Sequence, residues 1–367
     1  MKPHYSFWPA RLPHALSLPE TTLWDNLDIS ARKFPNKDAL VFLGTRMTYA
    51  QLRHRAERLA AHLQSVGVQK GDRVVLNMQN CPQLVIAHFA ILRANAVVVP
   101  VNPMNRAEEL KHYITDPDAR VAITTADLAS DLAKASNELP AGHGLQHMVV
   151  THFTDAFDAQ VKGDDAPPAA WHEWLLTKHS LPQLQGGLVL DWQQALDNHF
   201  ELGPVTVGIE DLAVLPYTSG TTGLPKGCMH PHRSIMHNAM ASAYWGNGTH
   251  ENIGLLVVPM FHITGMTSVM HAGIFIGATL ILVLYPHLKP SQVAGADIAY
   301  AVPLTALAGV GHWWLGNVHF DLLFGLLLGS VPAIWLGAKL SSILSERATR
   351  TTLAATLFLV GIKLVSS

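Results

Sequence analysis

The sequence predicts two parts: an α/β domain with layered parallel sheets over residues 1–275, and a short all-α bundle of transmembrane segments over residues 276–367. Two observations support this division. In the first part, short apolar runs alternate with segments of helical periodicity, which is typical of parallel sheets covered by helices. The second part consists largely of long runs almost without charge, and such runs suit membrane-spanning helices.

Composition narrows the class of protein. Only 14% of the residues are charged, against about a quarter in a typical soluble domain, and the mean hydropathy is +0.20. The formal net charge of -2 gives no basic field that would attract nucleic acid. The chain is therefore more apolar than an ordinary soluble enzyme, and no nucleic-acid partner is expected.

The first strand and helix follow from local signals. A mainly apolar run at 38–43 predicts a strand. Thr48 and Gln51 have the spacing of a capping box at a helix start, apolar residues follow at helical spacing, and Gly67 supplies a stop. A second strand is expected at 73–76, after a turn.

A second predicted helix begins at Pro82 and ends near Asn95, because asparagine can take the left-handed conformation that glycine usually takes. The run 96–101 is continuously apolar and largely β-branched, as expected for a strand covered on both faces. The alternation continues through helix 106–114, strand 120–124, helix 128–139 and strand 148–150. Residues 157–187 are rich in Asp, Pro, Ala and Lys, and this composition predicts a surface excursion.

Cysteine and histidine give no sign of a metal centre. Cys81 and Cys228 stand alone, which indicates a reducing compartment and no disulfide framework. His230 and His232 could suggest a metal, but the proline between them and the lack of a nearby carboxylate favour surface or hydrogen-bonded histidines. Residues 1–24 lack a continuous apolar core, so no signal peptide is expected.

One stretch, residues 217–227, carries most of the chemistry. It follows an apolar run at 212–215 that predicts a buried strand, and it contains three glycines, four small hydroxyls and one lysine. Glycines let backbone N–H groups face a ligand, hydroxyls add short donors, and Lys226 adds a positive charge, so the stretch suits an anionic phosphate chain. Pro225 separates the lysine from the loop, unlike the Walker pattern. The alternative is an ordinary Gly/Ser/Thr surface turn.

The stretch resembles the phosphate loop of the adenylate-forming acyl-CoA synthetases, the AMP-dependent synthetase and ligase superfamily. Three further segments resemble the same family, two before this stretch and one after it. Residues 80–83 and 97–103 correspond to its N-terminal portion, and residues 259–265 correspond to a motif whose aromatic-histidine pair lies beside the acyl pocket. The resemblance covers about residues 20–275 and implies the adenylate-forming α/β fold.

The resemblance also implies roles for individual residues. Lys226 would neutralise phosphate charge, and His262, with Phe261, would border the acyl pocket. The residues implied to hold the β- and γ-phosphates are Thr218, Ser219, Gly220, Thr221, Thr222 and Gly223. The implied cofactors are ATP, Mg²⁺ and coenzyme A, and no protein metal ligand is assigned. Apolar residues near His262 imply a carboxylic acid substrate of the fatty type.

The family continues beyond this region with a segment for adenine and magnesium, an aspartate that holds the ribose, and a small mobile lid with a catalytic lysine. None of these is found after Gly277. The resemblance therefore implies the N-terminal part of such an enzyme, with adenylation impaired.

The tail differs in character. Residues 298–315 carry no formal charge, 320–338 carry only Asp321, and 351–364 carry only Lys363. Tryptophans near the segment ends are typical of membrane interfaces, and a basic loop at 339–350 would face the inside. We therefore expect a membrane location with the N-terminal domain in the cytoplasm. A buried core of a soluble domain is the alternative.

The tail also resembles the C-terminal part of the sulfite exporter (TauE/SafE) membrane proteins. The matching segments are 284–287, 295–298, 301–305, 309–312, 328–332 and 336–338. Three functions stay open: an impaired acyl-CoA synthetase-type ligase, a component of membrane transport, and a non-catalytic nucleotide-binding protein. A natural fusion and a genomic rearrangement both fit the junction.

Overall fold

A computed structural model describes residues 8–158, 160–161, 166–218 and 224–284, and in the tail residues 305, 309–311, 313–314, 318 and 320–341. The chain divides into two compact units, Met1–Pro286 and His287–Ser367. The division predicted between residues 275 and 276 stays a prediction.

The first unit alternates strands and helices, as the sequence predicts. Its described helices are α1 (Leu23–Lys33), α2 (Tyr49–Ser65), α3 (Pro82–Arg93), α4 (Ala107–Thr115), α5 (Ala129–Asn137), α6 (Ala169–Leu176), α7 (Trp192–Leu196), α8 (His232–Trp245) and α9 (Ala272–Ile276). Its described strands are β1 (Asp38–Phe42), β2 (Thr45–Thr48), β3 (Arg73–Asn77), β4 (Val97–Val101), β5 (Val121–Thr125), β6 (His147–Thr151), β7 (Leu188–Asp191), β8 (Leu212–Val214), β9 (Tyr217–Thr218), β10 (Lys226–Gly227), β11 (His230–Pro231), β12 (Ile253–Leu256) and β13 (Thr279–Leu282).

The larger sheet has seven strands in the order β11-β8-β4-β3-β5-β6-β7. Its strands pair in parallel except at β11, which runs antiparallel to β8. The chain passes from β3 to β4 on one side and then crosses to β5 on the other side of β3. In open parallel sheets, ligands bind outside the carboxyl ends of the strands where the order reverses in this way.

A second sheet has four strands in the order β12-β13-β1-β2. Strand β13 lies between β12 and β1 and is parallel to both, with Leu280 opposite Gly254 on one side and Leu40 on the other. Strands β9 and β10 form a separate two-stranded hairpin. The carboxyl end of β12 leads directly into residues 257–264.

Local signals read from the sequence are confirmed at several positions. The Gln51 N–H donates to Thr48 Oγ1 at 3.3 Å, and the Thr48 N–H donates back to Gln51 Oε1 at 2.9 Å, which completes the capping box. Asn95 has φ +66°, the left-handed conformation expected after α3. All five residues of β4 are buried, as predicted for a strand covered on both faces.

Helix α3 is the centre of the core. Every residue from Pro82 to Leu92 is buried, so the helix has no solvent face, and a helix that is apolar all round is found inside a protein. Strand β3, which precedes it, is central in the seven-stranded sheet. The link between them, residues 78–81, therefore passes through the interior at a carboxyl strand end.

The excursion predicted at 157–187 is only partly on the surface. Among its described residues, helix α6 buries Leu175 and packs Trp171 and Trp174 against the main core. The rings of Phe153 and Trp174 lie 4.7 Å apart. Positions 171, 174 and 175 have the i, i+3, i+4 spacing of one helix face. Residues 157–187 therefore contain a short amphipathic helix, although their composition indicates a loop.

In the second unit the structure describes one long helix, α10 (Phe320–Ser341). Its exposed side chains include Phe324, Leu328 and Trp335. Among the residues the structure describes, no helix is long and apolar enough to cross a membrane. The predicted transmembrane bundle is therefore unsupported. The predicted segment 351–364 and most of 298–315 lie outside the described residues.

Candidate functional site

The hairpin β9–β10 holds the residues on either side of the predicted phosphate loop. Thr218 lies opposite Lys226, and Tyr217 lies opposite Gly227, in antiparallel register. The remaining predicted phosphate ligands, Ser219, Gly220, Thr221, Thr222 and Gly223, lie outside the described residues. The structure thus brings the first hydroxyl and the lysine of the predicted loop together across one pair of strands.

The ammonium of Lys226 is available to a ligand. The residue is exposed, and its side chain makes no hydrogen bond or ion pair with the part of the chain that the structure describes. Thr218 is also exposed. An exposed cation opposite an exposed hydroxyl is a suitable pair for an anionic oxygen, since the two side chains supply a charge and a short donor.

Helix α4 fixes both strands of this hairpin. The hydroxyl of Tyr217 donates to Asp116 Oδ2 at 2.6 Å. His112 Nε2 lies 2.7 Å from the carbonyl oxygen of Pro225, so it carries the proton and donates it there. The ring of Tyr217 also packs edge-on against Tyr113, with centroids 4.8 Å apart. The first strand is held through the Tyr217 side chain, and the residue before the second strand is held through its backbone, by His112 in α4 and by Asp116 at its C-cap.

Burial and the hydrogen bond to Asp116 both raise the pKa of the Tyr217 phenol. The phenol therefore stays protonated and remains a donor throughout the physiological range. Close packing limits the opposite strand: a Cβ on Gly227 would lie 3.1 Å from the Leu215 side chain and 3.2 Å from the Tyr217 ring. The hairpin is thus packed as well as hydrogen-bonded at its base.

The predicted acyl-site residues lie beyond the end of β12. The His262 N–H donates to the Pro259 carbonyl at 3.1 Å, which forms a turn. The Thr264 N–H donates to His262 Nδ1 at 3.2 Å. Because Nδ1 accepts that bond, the neutral ring carries its proton on Nε2. His262 is exposed, and Phe261 beside it is half-buried.

This turn is closed by Gly265. A Cβ there would lie 2.6 Å from the Val258 carbonyl oxygen and would also collide with the carbonyl of Pro259. The chain then continues as a π-helical turn, Gly265–His271, with Met266 and Met270 buried. Single π-helical turns within helices are frequent at functional sites.

The paired histidines in the sequence are satisfied by hydrogen bonds. Buried His232 accepts the Leu23 N–H on Nδ1 at 3.1 Å, and burial lowers its pKa to about 4. His230 Nδ1 lies 3.3 Å from Ser234 Oγ. In the described residues, no three His, Cys, Asp or Glu side chains are grouped so that they could hold a metal ion.

Several residues at this site carry no recognisable sequence signal. Asp116 and His112 grip the hairpin from more than a hundred positions earlier in the chain, at separations of 101 and 113 residues. Asn80 contacts the segment before His262 from a separation of 180 residues. Asn80 stands within a family-like motif, but its contacts follow from tertiary packing.

The fold is that of an open α/β protein, a class in which ligands bind at the carboxyl ends of parallel strands. The family follows from comparison with known proteins. The family model described as AMP-binding enzyme matches residues 27–349. The chain therefore belongs to the AMP-binding enzyme family, and the resemblance to adenylate-forming enzymes is confirmed over its N-terminal part.

Curated relatives agree. The chain is 33% identical over 343 residues to a long-chain-fatty-acid–CoA ligase of Bacillus subtilis, covering 92% of this chain and 59% of the relative. It is 32% identical over 328 residues to the enzyme of that name from Escherichia coli, covering 86% and 56%. The chain thus spans less than two thirds of the length of these relatives.

Solved structures share the fold. A long-chain-fatty-acid-CoA ligase from Archaeoglobus fulgidus superposes with a TM-score of 0.56 at 22% identity, covering 78% of this chain and 51% of that one. An anthranilate CoA ligase in complex with anthranoyl-AMP superposes with a TM-score of 0.59 at 22% identity, covering 78% and 49%. The adenylate-forming α/β fold is therefore confirmed.

The comparisons do not support the predicted resemblance of the tail to the sulfite exporters. The AMP-binding match extends to residue 349, well into the region whose sequence resembles the sulfite exporters. The exporter resemblance has no support from these comparisons, and the membrane role of the tail rests on its sequence alone.

Proposed function

We propose that this chain is an acyl-CoA synthetase-type ligase that activates a fatty acid with ATP. The observation that carries the proposal is the hairpin formed by β9 and β10, in which exposed Lys226 lies opposite Thr218. The C-terminal end of α4 holds the base of this hairpin in place. In the proposed reaction, a carboxylate oxygen attacks the α-phosphorus of ATP and pyrophosphate leaves. The thiol of coenzyme A then attacks the acyl carbon of the acyl-adenylate, and AMP leaves as the thioester forms.

Charge crowding on phosphate is the main barrier to such a reaction, so positioned donors and cations supply most of the catalysis. Lys226 would neutralise the phosphate charge. The phosphate oxygens would take donors from Thr218, Ser219, Gly220, Thr221, Thr222 and Gly223. Bound Mg²⁺ would supply further charge neutralisation on the phosphates.

The proposed acid site lies at the segment after β12. Phe261 and His262 would border the acid, and the proton on Nε2 of His262 would be free to donate to it. Buried Met260 and Met266 beside them give an apolar, adaptable lining. The two relatives named as long-chain-fatty-acid–CoA ligases support a fatty acid as the substrate.

The proposal is tested by fatty-acid-dependent ATP–pyrophosphate exchange on the full chain. We expect exchange in the wild type and its loss in Lys226→Ala. Lys178→Ala is the matched control, because Lys178 is another exposed lysine without a partner among the described residues. It should leave the exchange rate unchanged. Absence of exchange in the folded wild type would refute the proposed activity and favour a non-catalytic nucleotide-binding role.

A finer proposal concerns residues 276–367. We propose that this region attaches the protein to a membrane with the α/β part on the cytoplasmic side, as part of an exporter-like transport component or as an anchor. The runs of low charge at 298–315 and 351–364 support it. Washing cell membranes with alkaline carbonate tests it: an integral segment stays in the pellet, and release into the supernatant would contradict it.

A further inference from the structure

The side chain of Asn80 joins the two sheets at their carboxyl ends. Asn80 follows β3 of the seven-stranded sheet and is 4% exposed. Its Nδ2 donates to the carbonyl oxygens of Leu256 at 3.1 Å and of Val258 at 3.2 Å. Its Oδ1 accepts the N–H of Met260 at 2.8 Å. All three partners are backbone groups, one on the last residue of β12 and two in the segment that follows it.

These three bonds use both polar ends of the amide. The two donors and the acceptor engage residues 256, 258 and 260, which lie on both sides of Pro259. A buried amide that loses such partners leaves unpaired polar groups behind, and that outcome is more costly than the mean worth of a hydrogen bond. One side chain therefore restrains three points along the backbone from Leu256 to Met260.

The far side of the segment is equally constrained. Gly265 packs against the carbonyl groups of Val258 and Pro259 so closely that a Cβ could not be added. Met260 is buried, so its side chain is also fixed. Phe261 and His262 thus come directly after a backbone segment that Asn80 holds on one side and Gly265 holds on the other.

We propose that Asn80 is a positioning residue that holds Phe261 and His262 in place for the carboxylic acid. The assignment of these two residues to the acid rests on the proposed function. Asn80 itself acts through the backbone of residues 256–260 and touches no reacting atom.

The chain offers a matched control in Asn198. It is buried to a similar degree, at 7% exposed. Its Nδ2 donates to the carbonyl oxygens of Arg58 and Ala195, and its Oδ1 accepts the Phe200 N–H at 3.2 Å. Asn198→Ala therefore removes the same set of three backbone bonds, but from a different loop.

The first measurement is amide hydrogen exchange, which needs no turnover. In Asn80→Ala, peptides that cover residues 256–264 should exchange about tenfold faster or more, because the Met260 N–H loses its acceptor and the two bonds that restrain the Leu256 and Val258 carbonyls are also lost. Asn198→Ala should leave these peptides unchanged. Asn80→Asp keeps the side-chain shape but turns a carboxylate toward two carbonyl oxygens, so it should also accelerate exchange without leaving a cavity.

The second measurement is the dissociation constant of dodecanoate, compared with that of ATP. Asn80→Ala and Asn80→Asp should weaken dodecanoate binding about fivefold or more while the ATP constant changes less than about twofold. Asn198→Ala should change neither constant. A loss that reflected only general stability would appear in both Asn80→Ala and Asn198→Ala.

The outcomes separate this proposal from the proposed function. Equal protection of residues 256–264 in Asn80→Ala and the wild type would overturn the proposal. Faster amide exchange in Asn80→Ala with unchanged dodecanoate affinity would overturn it as well, because the position of the segment would then have no effect on binding of the acid. A wild type that neither binds dodecanoate nor exchanges pyrophosphate would refute the proposed fatty-acid ligase. The amide hydrogen exchange of residues 256–264 would then decide by itself whether Asn80 holds the segment.

Discussion

The phenolic oxygen of Tyr217 lies 2.6 Å from Oδ2 of Asp116, and this contact ties the first strand of the hairpin to the end of helix α4. The carbonyl of Pro225, just before the second strand, is held by His112 on the same helix. If this hairpin carries the phosphate loop as proposed, binding gains from a rigid base, because ordering the loop on binding would otherwise cost affinity. The tie between Tyr217 and Asp116 is therefore expected to act on nucleotide affinity.

Tyr217→Phe tests this relationship directly. The substitution keeps the packed ring and removes only the donor to Asp116, so we expect a loss of about 1 kcal/mol in unfolding free energy and weaker ATP binding. Tyr113→Phe is the control: the Tyr113 hydroxyl has no hydrogen bond to the described residues, and its ring packs against the ring of Tyr217. Isothermal titration with ATP and urea unfolding are the measurements. Equal ATP affinity in the two variants would contradict the role of the contact.

Gly227→Ala tests the packing at the hairpin base. The added methyl would press on the Leu215 side chain and on the Tyr217 ring, which Asp116 holds in place. We expect a destabilisation of about 1–2 kcal/mol, as for an overpacked site. In Gly208→Ala, the methyl would meet only Asp211 Oδ2 at 3.9 Å, so its urea midpoint should stay close to that of the wild type. A Gly227→Ala midpoint equal to the wild-type value would show that the hairpin base can relax.

Buried histidines predict a loss of stability in acid. Nε2 of His88 and Nε2 of His271 lie 2.9 Å apart, so one donates and the other accepts, and both rings are neutral. Burial lowers the pKa of His88 to about 3, and burial together with His88 lowers the pKa of His271. Below about pH 6.5 the unfolded chain binds protons that the folded chain does not. The unfolding free energy therefore decreases as the pH is lowered.

The expected loss between about pH 7 and about pH 4.5 is about 2.5 kcal/mol for the buried His88 imidazole. Urea unfolding over this range measures it. His88→Gln cannot protonate and should give a shallower pH dependence than the wild type. Exposed His54 is the control, because His54→Gln should leave the slope unchanged. Parallel slopes for His88→Gln and the wild type would refute the buried neutral pair.

The two cysteines should differ sharply in reactivity. Cys81 is buried, and burial raises the pKa of its thiol to about 12, whereas Cys228 is partly exposed beside the hairpin. Since the thiolate is the reactive form, a disulfide-exchange reagent should label Cys228 in the folded protein and Cys81 only after unfolding. Cys228→Ser should abolish labelling of the native protein. Fast labelling that persists in this variant would mean that the interior around Cys81 opens readily.

Much of the fold could be predicted from local residues. The capping box of Thr48 and Gln51, the left-handed Asn95 and the fully buried strand β4 were each indicated by a short stretch of sequence. The family was indicated by the resemblance of residues 217–227 to its phosphate loop. Helix α6 was missed because its inward-facing positions are few and stand among residues typical of loops.

The sequence by itself determined the alternation of strands and helices, because periodicity, caps and turn residues act over a few neighbouring positions. The family and the two candidate segments were indicated by short motifs that resemble those of known enzymes. Only the tertiary structure decided what holds those segments. Asp116 and His112 reach the hairpin, and Asn80 reaches the backbone before His262, across separations of more than a hundred residues. Such contacts depend on which strand ends the sheet order brings together, and no local pattern in the chain encodes that proximity.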